Sequence, residues 1–404
     1  FGAVPPSQSP EVTPTSVPAL TPEPIVPTRT PAEPGPGATP AAVKTETPTL
    51  TPTAKPRVTA PSEEADLASP EVTRRTAATP VPTSATPDAP PPAVTGTAPG
   101  LVPSGERQRL GVSLPYGATQ SYGLSALRGG WVMDWSVRAQ PVLPAGVQYA
   151  QTVRMKGGVL NPEESALTAV AAARPASVWL IANEPDVRWQ DNVEPAVYAR
   201  LYHDAYRAIK QGDPNAVIAA GGIAQTSPLR LRYLDLVLES YQAQFGEPMP
   251  AQAWQIHNYM LREERDSWGV DIPPGIPDDT GKLYAIEDSG NLELFQKQIY
   301  AFRRWMQSRG YGGLPLIISE FGIPMPPDYG FPPQRVADFL QSTWHFFRTA
   351  RDPALGDPHD GGRLVQRWCW FSLGDPGYAT GNLVDLNSGQ WTPLGEAWIR
   401  WVGE

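Results

Sequence analysis

Two glutamates in this 404-residue chain occupy the same kind of local setting. Glu184 ends the mostly apolar run VWLIANE, residues 178–184, and Pro185 follows it directly. Glu320 ends a second apolar run, LPLIISE, and an aromatic residue and a glycine follow it. Because proline has no N–H to give to a sheet, Pro185 predicts the end of a strand and leaves Asn183 and Glu184 at its rim.

Two carboxylates that converge at one site can hydrolyse a glycosidic bond. Retaining hydrolysis places the two carboxyl groups about 5–5.5 Å apart, one as acid/base and one as nucleophile. Two carboxylates this close do not both ionise easily, so the pKa of one of them rises. We predict that Glu184 stays protonated as the acid/base and that Glu320 is the ionised nucleophile.

The elements that must position these glutamates alternate along the chain. Apolar runs predict eight strands, at 110–114, 131–137, 147–155, 178–184, 216–224, 253–259, 314–322 and 364–373. Helix-period segments lie at 161–175, 194–214, 228–246, 292–310, 335–350 and 393–402. Strands that alternate with helices imply a parallel sheet, and eight of them in a unit of this length imply a closed (β/α)8 TIM barrel.

One connection departs from that alternation, because the Pro-rich segment 137–146 is too short for a full helix. The glutamates end the fourth and seventh predicted strands, whose carboxyl ends face each other across the mouth of such a barrel.

A doubly wound open sheet is the structural alternative. That fold favours a Gly-rich phosphate turn after the first strand, and GVSLPYGA is not one.

The composition divides the chain into residues 1–105 and residues 106–404. The first segment holds 25 of the 49 prolines, none of the 13 tryptophans and a single aromatic residue, Phe1. Such a segment cannot bury enough apolar surface to offset the entropy of ordering it. We predict a disordered Pro/Thr/Ala-rich linker or stalk, of a composition typical of O-glycosylated segments, followed by one catalytic barrel.

Composition and charge exclude several classes of function. The net charge is −9, with −3 on residues 1–105 and −6 on the rest, and no basic stripe favours a nucleic acid partner. A lone cysteine, Cys369, and four scattered histidines give no metal-ligand spacing, so we expect neither a metal nor an organic cofactor. No apolar stretch is long enough to span a membrane. We expect an extracellular or cell-surface monomer whose export signal or anchor lies outside this chain.

Four segments of residues 106–404 resemble clan A glycoside hydrolases, the (β/α)8 barrels that include the family 5 cellulases and mannanases. They are VWLIANEPD, QIHNY, IISEFG and RWCWFSL, in the order and at the strand positions of that clan. The resemblance implies a carbohydrate substrate, with Glu184 as acid/base and Glu320 as nucleophile. It also implies sugar or nucleophile contacts from the residues that match the clan's other positions: Asn183 on the sugar 2-hydroxyl, His257, Tyr259, and Trp370, chosen over Trp368, as a sugar platform.

The chain departs from family 5 between residues 115 and 160, which resemble instead the short-barrel β-glucan hydrolases of the clan. The His–Asn pair that several family 5 enzymes carry after strand three is absent, and Arg154 stands there. Arg154 is either an ion-pair partner at the barrel floor or a clamp on Glu320. Strand two offers Asp134 and Trp135, and the long segment 261–291 offers Trp268 as a further sugar contact in an ordered wall.

The sequence also allows two other functions to be considered. A non-catalytic carbohydrate-binding barrel on a cell-surface stalk is favoured if either glutamate points away from the mouth. A metal-dependent hydrolase requires clustered His and Asp at strand ends, which the sequence lacks.

Overall fold

The computed structural model describes residue 103 and residues 105–115 and 123–403. The prediction of a disordered linker over residues 1–105 therefore lies outside the described residues, except for Pro103 and Gly105. The boundary between linker and barrel stays a prediction.

The described residues form nine short strands that pair in parallel as one sheet. The strands are β1 Leu110–Ser113, β2 Trp131–Met133, β3 Gln148–Tyr149, β4 Gln151–Val153, β5 Val178–Ile181, β6 Val217–Ile223, β7 Ala253–His257, β8 Leu316–Phe321 and β9 Arg367–Trp370. Their order is β3-β2-β1-β9-β8-β7-β6-β5-β4. The two end strands of this order are separated in the chain by Ala150 alone, so the sheet closes on itself. This closure confirms the predicted TIM barrel.

The third predicted strand differs from its prediction, because it consists of two pieces. β3 pairs with β2, and β4 pairs with β5. Backbone hydrogen bonds extend both pairings, since Ala150 N donates to Val132 O of β2 at 2.9 Å and Ala182 N, after β5, donates to Val153 O of β4 at 2.9 Å. One segment thus changes its partner from one side of the barrel to the other.

Seven α-helices accompany the strands among the described residues. They are α1 Glu106–Arg109, α2 Glu164–Ala173, α3 Pro195–Gly212, α4 Pro228–Phe245, α5 Leu292–Ser308, α6 Pro333–Thr349 and α7 Pro393–Trp401. The boundaries follow from local chemistry at α4, where the Ser227 side chain accepts from Arg230 N and Gly246 ends the helix with φ 74°. No helix of the described residues is long and apolar enough to cross a membrane.

Apolar residues fill two layers around the sheet. The outer layer lies between the strands and the helices and includes Trp179, Trp254 and Trp370. The inner layer fills the barrel and contains Trp131, Met133, Ala150, Val178, Leu180, Val217, Ala219, Ala253, Ile317 and Cys369. Bulky branched residues usually dominate barrel interiors, whereas three alanines stand in this one.

Candidate active site

The two glutamates converge on one histidine at the carboxyl end of the barrel. His257 is the last residue of β7, Glu320 lies in β8, and Glu184 follows β5. Glu184 Oε1 hydrogen-bonds His257 Nδ1 at 2.9 Å, and Glu320 Oε1 lies 3.3 Å from His257 Nε2. All three side chains are buried. Because one imidazole contacts both carboxyl groups, the two glutamates lie within a single site, as the strand positions predict.

The backbone around Glu184 differs from the predicted strand. β5 ends at Ile181, three residues earlier than predicted. Ala182 and Glu184 adopt φ angles of 68° and 46°, in the left-handed region that residues other than glycine seldom visit. Glu184 N still donates to Gly222 O of the neighbouring strand at 2.8 Å. The strand therefore ends through these left-handed residues rather than through Pro185, and strain of this kind is concentrated at functional sites.

Two donors hold the carboxyl group of Glu320. Trp135 Nε1 donates to Glu320 Oε1 at 2.5 Å, and the Tyr259 hydroxyl donates to Oε2 at 3.0 Å. Trp135 has φ 57°, so its backbone, too, is in the left-handed region. Hydrogen bonds to a carboxylate stabilise its charged form. The structure thus brings two further predicted site residues, Trp135 and Tyr259, onto Glu320.

Burial raises the pKa of both glutamates, but their other neighbours differ. The pKa of Glu184 rises to about 7 because it is buried; the charges of Arg230 and Arg154 only partly oppose this. Burial also raises the pKa of Glu320, while the hydrogen bonds from Trp135 and Tyr259 lower it. The environment therefore favours the proton on Glu184 and the negative charge on Glu320.

The protonation of His257 agrees with this division. Burial lowers the pKa of His257, so the ring is neutral at neutral pH. A neutral imidazole has one N–H and one lone pair. We assign the N–H to Nε2, which faces the charged Glu320, and the lone pair to Nδ1, which accepts a hydrogen bond from the protonated carboxyl group of Glu184. One proton on the glutamate pair then satisfies both contacts.

The two predicted residues Asn183 and Arg154 lie beside Glu184 in a polar group with Gln190 and Asp191, which the sequence did not predict. Asn183 Nδ2 donates to Gln190 Oε1 at 3.3 Å, and Arg154 Nη2 donates to the same oxygen at 3.2 Å. Arg154 Nε also pairs with Asp191 Oδ1 at 2.7 Å, and Asn183 N donates to Asp191 Oδ2 at 2.9 Å. Of the two roles left open for Arg154, the ion pair is present, but it lies beyond the carboxyl end of β4 rather than at the barrel floor. No hydrogen bond among the described residues joins Arg154 to Glu320. Gln190 and Asp191 could have been suspected only from their place in the loop after β5.

The structure does not bring Trp370 to the site. Its side chain is fully buried, donates from Nε1 to Gly381 O at 2.8 Å and packs against Phe321. Side chains alternate across a strand, and Trp368 and Trp370 both point outward to the helices. The next residue, Phe371, points the other way and contacts Trp135 with ring centroids 5.9 Å apart. Phe371 is therefore the aromatic residue of this strand end that lines the site.

Phe371 belongs to an aromatic group around Glu320 that sequence reasoning missed. Its ring lies 6.5 Å from Tyr259 and 5.9 Å from the half-buried Tyr378. Tyr378 lies in the segment after β9, where no sequence pattern marked it. Aromatic faces beside a buried carboxylate pair provide the apolar surface on which a sugar ring can stack.

Trp268 and Asp134 lie outside this group. Trp268 is half-buried, and no hydrogen bond or ring contact joins it to the glutamates in the described part of the chain. Trp268 lies in a loop whose two ends are joined. The Glu263 carboxylate accepts a hydrogen bond from Lys282 N at 2.7 Å, and Glu264 forms an antiparallel β-bridge with Thr280. This agrees with an ordered wall. Asp134 is buried against Arg138, Tyr149 and Ser136, so its carboxylate is already paired.

A buried ion network fixes the loop that carries Glu184. The Arg230 guanidinium pairs with Asp186, two residues beyond Glu184, and its Nε lies 2.8 Å from Glu263 Oε1. Arg230 also donates to the backbone carbonyls of Val270 and Asp271, at 3.1 and 2.9 Å. One side chain of α4 therefore joins the loop after β5 to the loop after β7.

We expect Arg230→Leu to lower the free energy of unfolding by about 3–5 kcal/mol, because it leaves the buried carboxylates of Asp186 and Glu263 without their cationic partner. Denaturant titration of both proteins measures the loss. Arg232→Ala is the matched control on the same helix, since its ion pair with Asp278 is exposed and its removal should cost about 0–1 kcal/mol. Equal losses in the two variants would contradict a structural role for the buried network.

No group of three or more His, Cys, Asp or Glu side chains among the described residues is placed to hold a metal ion.

No protein family model matches the chain, and no curated protein matches it. Similar folds occur among solved structures. A GH128 subgroup II endo-β-1,3-glucanase from Sorangium cellulosum is 18% identical with a TM-score of 0.47, covering 72% of this chain and 97% of its own. A GH128 subgroup I endo-β-1,3-glucanase from Amycolatopsis mediterranei, in complex with laminaritriose, is 17% identical with a TM-score of 0.48, covering 72% and 99%. A GH128 subgroup III curdlan-specific exo-β-1,3-glucanase from Blastomyces gilchristii is 16% identical with a TM-score of 0.46, covering 72% and 97%.

These three structures belong to family 128 rather than family 5. At this level of identity and superposition, the similarities do not bear on the reaction or the substrate of this chain.

Proposed function

We propose that the protein hydrolyses β-glycosidic bonds of a polysaccharide or oligosaccharide with retention of configuration. The observation that carries this proposal is the contact of two buried glutamates with one histidine at the carboxyl mouth of the barrel. Their environments favour opposite protonation states, which is what an acid/base and a nucleophile require.

The reaction would proceed in two displacements. Glu320 attacks the anomeric carbon and forms a glycosyl ester, while Glu184 gives its proton to the departing glycosidic oxygen. Glu184, now a carboxylate, then removes a proton from water, and the resulting hydroxide attacks the anomeric carbon and releases Glu320. The second displacement returns to Glu184 the proton that the first displacement removed. Both glutamates therefore end in their starting states, and no cofactor is consumed.

The neighbouring residues would divide the remaining work. Trp135 and Tyr259 orient the Glu320 carboxylate, since each donates to a different one of its oxygens. Asn183 lies next to Glu184, and its proposed role is to contact the sugar whose glycosidic oxygen Glu184 protonates. Phe371 offers the ring face on which that sugar can stack.

The test is the release of reducing ends from β-1,3- and β-1,4-glucans, β-mannans, xylans and galactans, with the anomeric form of the first product followed by NMR. Hydrolysis of one polymer with a β-anomeric first product supports the proposal. An α-anomeric first product would instead mean inversion, with Glu320 as a general base. Binding of a polymer with no hydrolysis would favour the carbohydrate-binding barrel.

We expect a bell-shaped dependence of kcat/KM on pH, because the active form has Glu184 protonated and Glu320 ionised. The raised pKa of Glu184, about 7, sets the alkaline limb, above which the rate falls as the acid is lost. Protonation of Glu320 sets the acidic limb. Initial rates between pH 4 and pH 9 check this, and a rate that stays constant from pH 6 to pH 9 would remove Glu184 as the acid.

We further propose that residues 1–105 are a spacer that holds an exported catalytic barrel away from the surface to which the chain is attached. The supporting observation is their Pro/Thr-rich composition. Small-angle scattering of the full chain should show a particle much longer than the barrel alone, and a compact particle would contradict a spacer.

A further inference from the structure

A cavity of about 320 Å³ opens at the amino-terminal end of the barrel, away from the two glutamates. Trp131, Gln148, Val178 and Arg367 line it, and each is the first residue of its strand, in β2, β3, β5 and β9. The glutamates lie at or beyond the opposite ends of their strands, so the cavity and the candidate active site lie at opposite ends of the barrel.

Small residues leave room for this cavity, since Ala150, Ala173 and Ala176 lie in its wall. The volume falls within the range of small-molecule sites.

Arg367 is buried in the wall of the cavity without an acidic partner. Its side chain donates from Nη1 to Gln148 Oε1 at 2.9 Å, while Nε is buried and has no hydrogen bond. No carboxylate lies within ion-pair distance of Arg367 among the described residues. The neighbouring Arg109 contrasts with it, since two of its nitrogens pair with Asp360 at 2.6 and 2.8 Å.

The electrostatic surroundings of Arg367 are positive. Burial and the charge of Arg109 lower the pKa of Arg367 to about 10, so the guanidinium remains charged at neutral pH. A buried charge without a partner is costly, and proteins normally pair it. No acid among the described residues compensates the charge of Arg367.

A second arginine lines the same cavity. Arg174 is half-buried at the end of α2, and its guanidinium has no hydrogen bond or ion pair in the described part of the chain. None of the twelve residues that line the cavity is acidic. Two guanidinium groups therefore share a small cavity with no anion of the protein's own lining to balance them.

We propose that this cavity binds a small oxyanion, a carboxylate or a phosphate, through Arg367 and Arg174. Arg367 lines the cavity with a buried guanidinium that no acid of the described residues pairs, and guanidinium groups can hold the two oxygens of such an anion with two N–H donors. Arg174 adds a second positive charge. This site does not depend on the proposed glycosidase reaction.

Calorimetric titration of the full chain with inorganic phosphate, and separately with acetate, tests the site at constant ionic strength set by sodium chloride. We expect saturable binding of one anion per chain, and the stronger of the two probes identifies the preferred oxyanion. Arg367→Met should weaken that binding by at least about tenfold, since charge-assisted hydrogen bonds are lost. Arg174→Ala should weaken it less, and Arg304→Ala, which removes an exposed arginine of α5, should not change it.

Thermal unfolding separates a binding residue from a structural one. In chloride alone, Arg367→Met should unfold at the same temperature as the wild type or higher, because it removes an uncompensated buried charge. Added phosphate or acetate should raise the unfolding temperature of the wild type but not that of Arg367→Met. The proposal is overturned if the wild type binds neither probe, or if Arg367→Met binds as tightly as the wild type.

Discussion

Replacing Glu320 with glutamine should lower kcat on the polysaccharide substrate by on the order of 10⁴–10⁶-fold, the range that removal of a nucleophile produces. The amide cannot form a glycosyl ester, so the first displacement has no nucleophile. The side chain keeps its shape and an oxygen for the Trp135 or Tyr259 donor, so substrate affinity should change little. Initial rates give the loss in kcat, and calorimetric titration with an oligosaccharide gives the affinity.

Two controls accompany this variant. Glu293→Gln makes the same chemical change on the exposed face of α5, where the carboxylate pairs only with Lys297 at the surface. Its rate should equal that of the wild type. Thermal unfolding of Glu320→Gln excludes loss of the fold as the cause. Activity of Glu320→Gln within tenfold of the wild type would remove Glu320 as nucleophile and with it the two-glutamate mechanism.

Glu184→Gln should give a loss that depends on the leaving group. On a polysaccharide, where the departing sugar needs a proton, the rate should fall by about 10²–10⁴-fold. A dinitrophenyl glycoside departs as a stable anion without a proton, so its first displacement should be nearly unaffected. The second displacement still needs a base, and the glycosyl ester on Glu320 should therefore accumulate.

Stopped-flow release of dinitrophenol and intact-protein mass spectrometry measure these two consequences. A burst of dinitrophenol followed by a slow steady rate, with one added sugar per chain, identifies Glu184 as acid/base. Equal losses on the polysaccharide and on the aryl glycoside would show that Glu184 positions the substrate rather than transferring a proton.

The opposite roles that we propose for the two glutamates rest on what surrounds each carboxyl group. Both are buried, which alone would raise both pKa values. Only Glu320 accepts hydrogen bonds from an indole and a phenol, and these favour its charge. The neutral His257 contacts both glutamates, with Nδ1 on Glu184 and Nε2 near Glu320. A single proton shared by the two glutamates, carried by Glu184, therefore suits both contacts.

The amino-acid sequence by itself determined the alternation of strands and helices and, through it, the barrel. Apolar periodicity and turn residues are local signals, and they predicted α4 at 228–246 against an observed helix of Pro228–Phe245. The sequence also placed Glu184 and Glu320 at strand ends, because a carboxylate that follows an apolar run is visible without knowledge of the fold. Closure of the barrel then brings those two ends together.

Only the tertiary structure decided which neighbouring side chains reach the site. Side chains alternate along a strand, so choosing Trp370 over Phe371 required knowing which face of β9 points inward. The pairing of Arg154 with Asp191, and of Arg230 with Asp186 and Glu263, joins residues that lie far apart in the chain. The uncompensated charge of Arg367 is likewise a property of packing, since a sequence shows that an arginine is present but not whether an acid lies beside it.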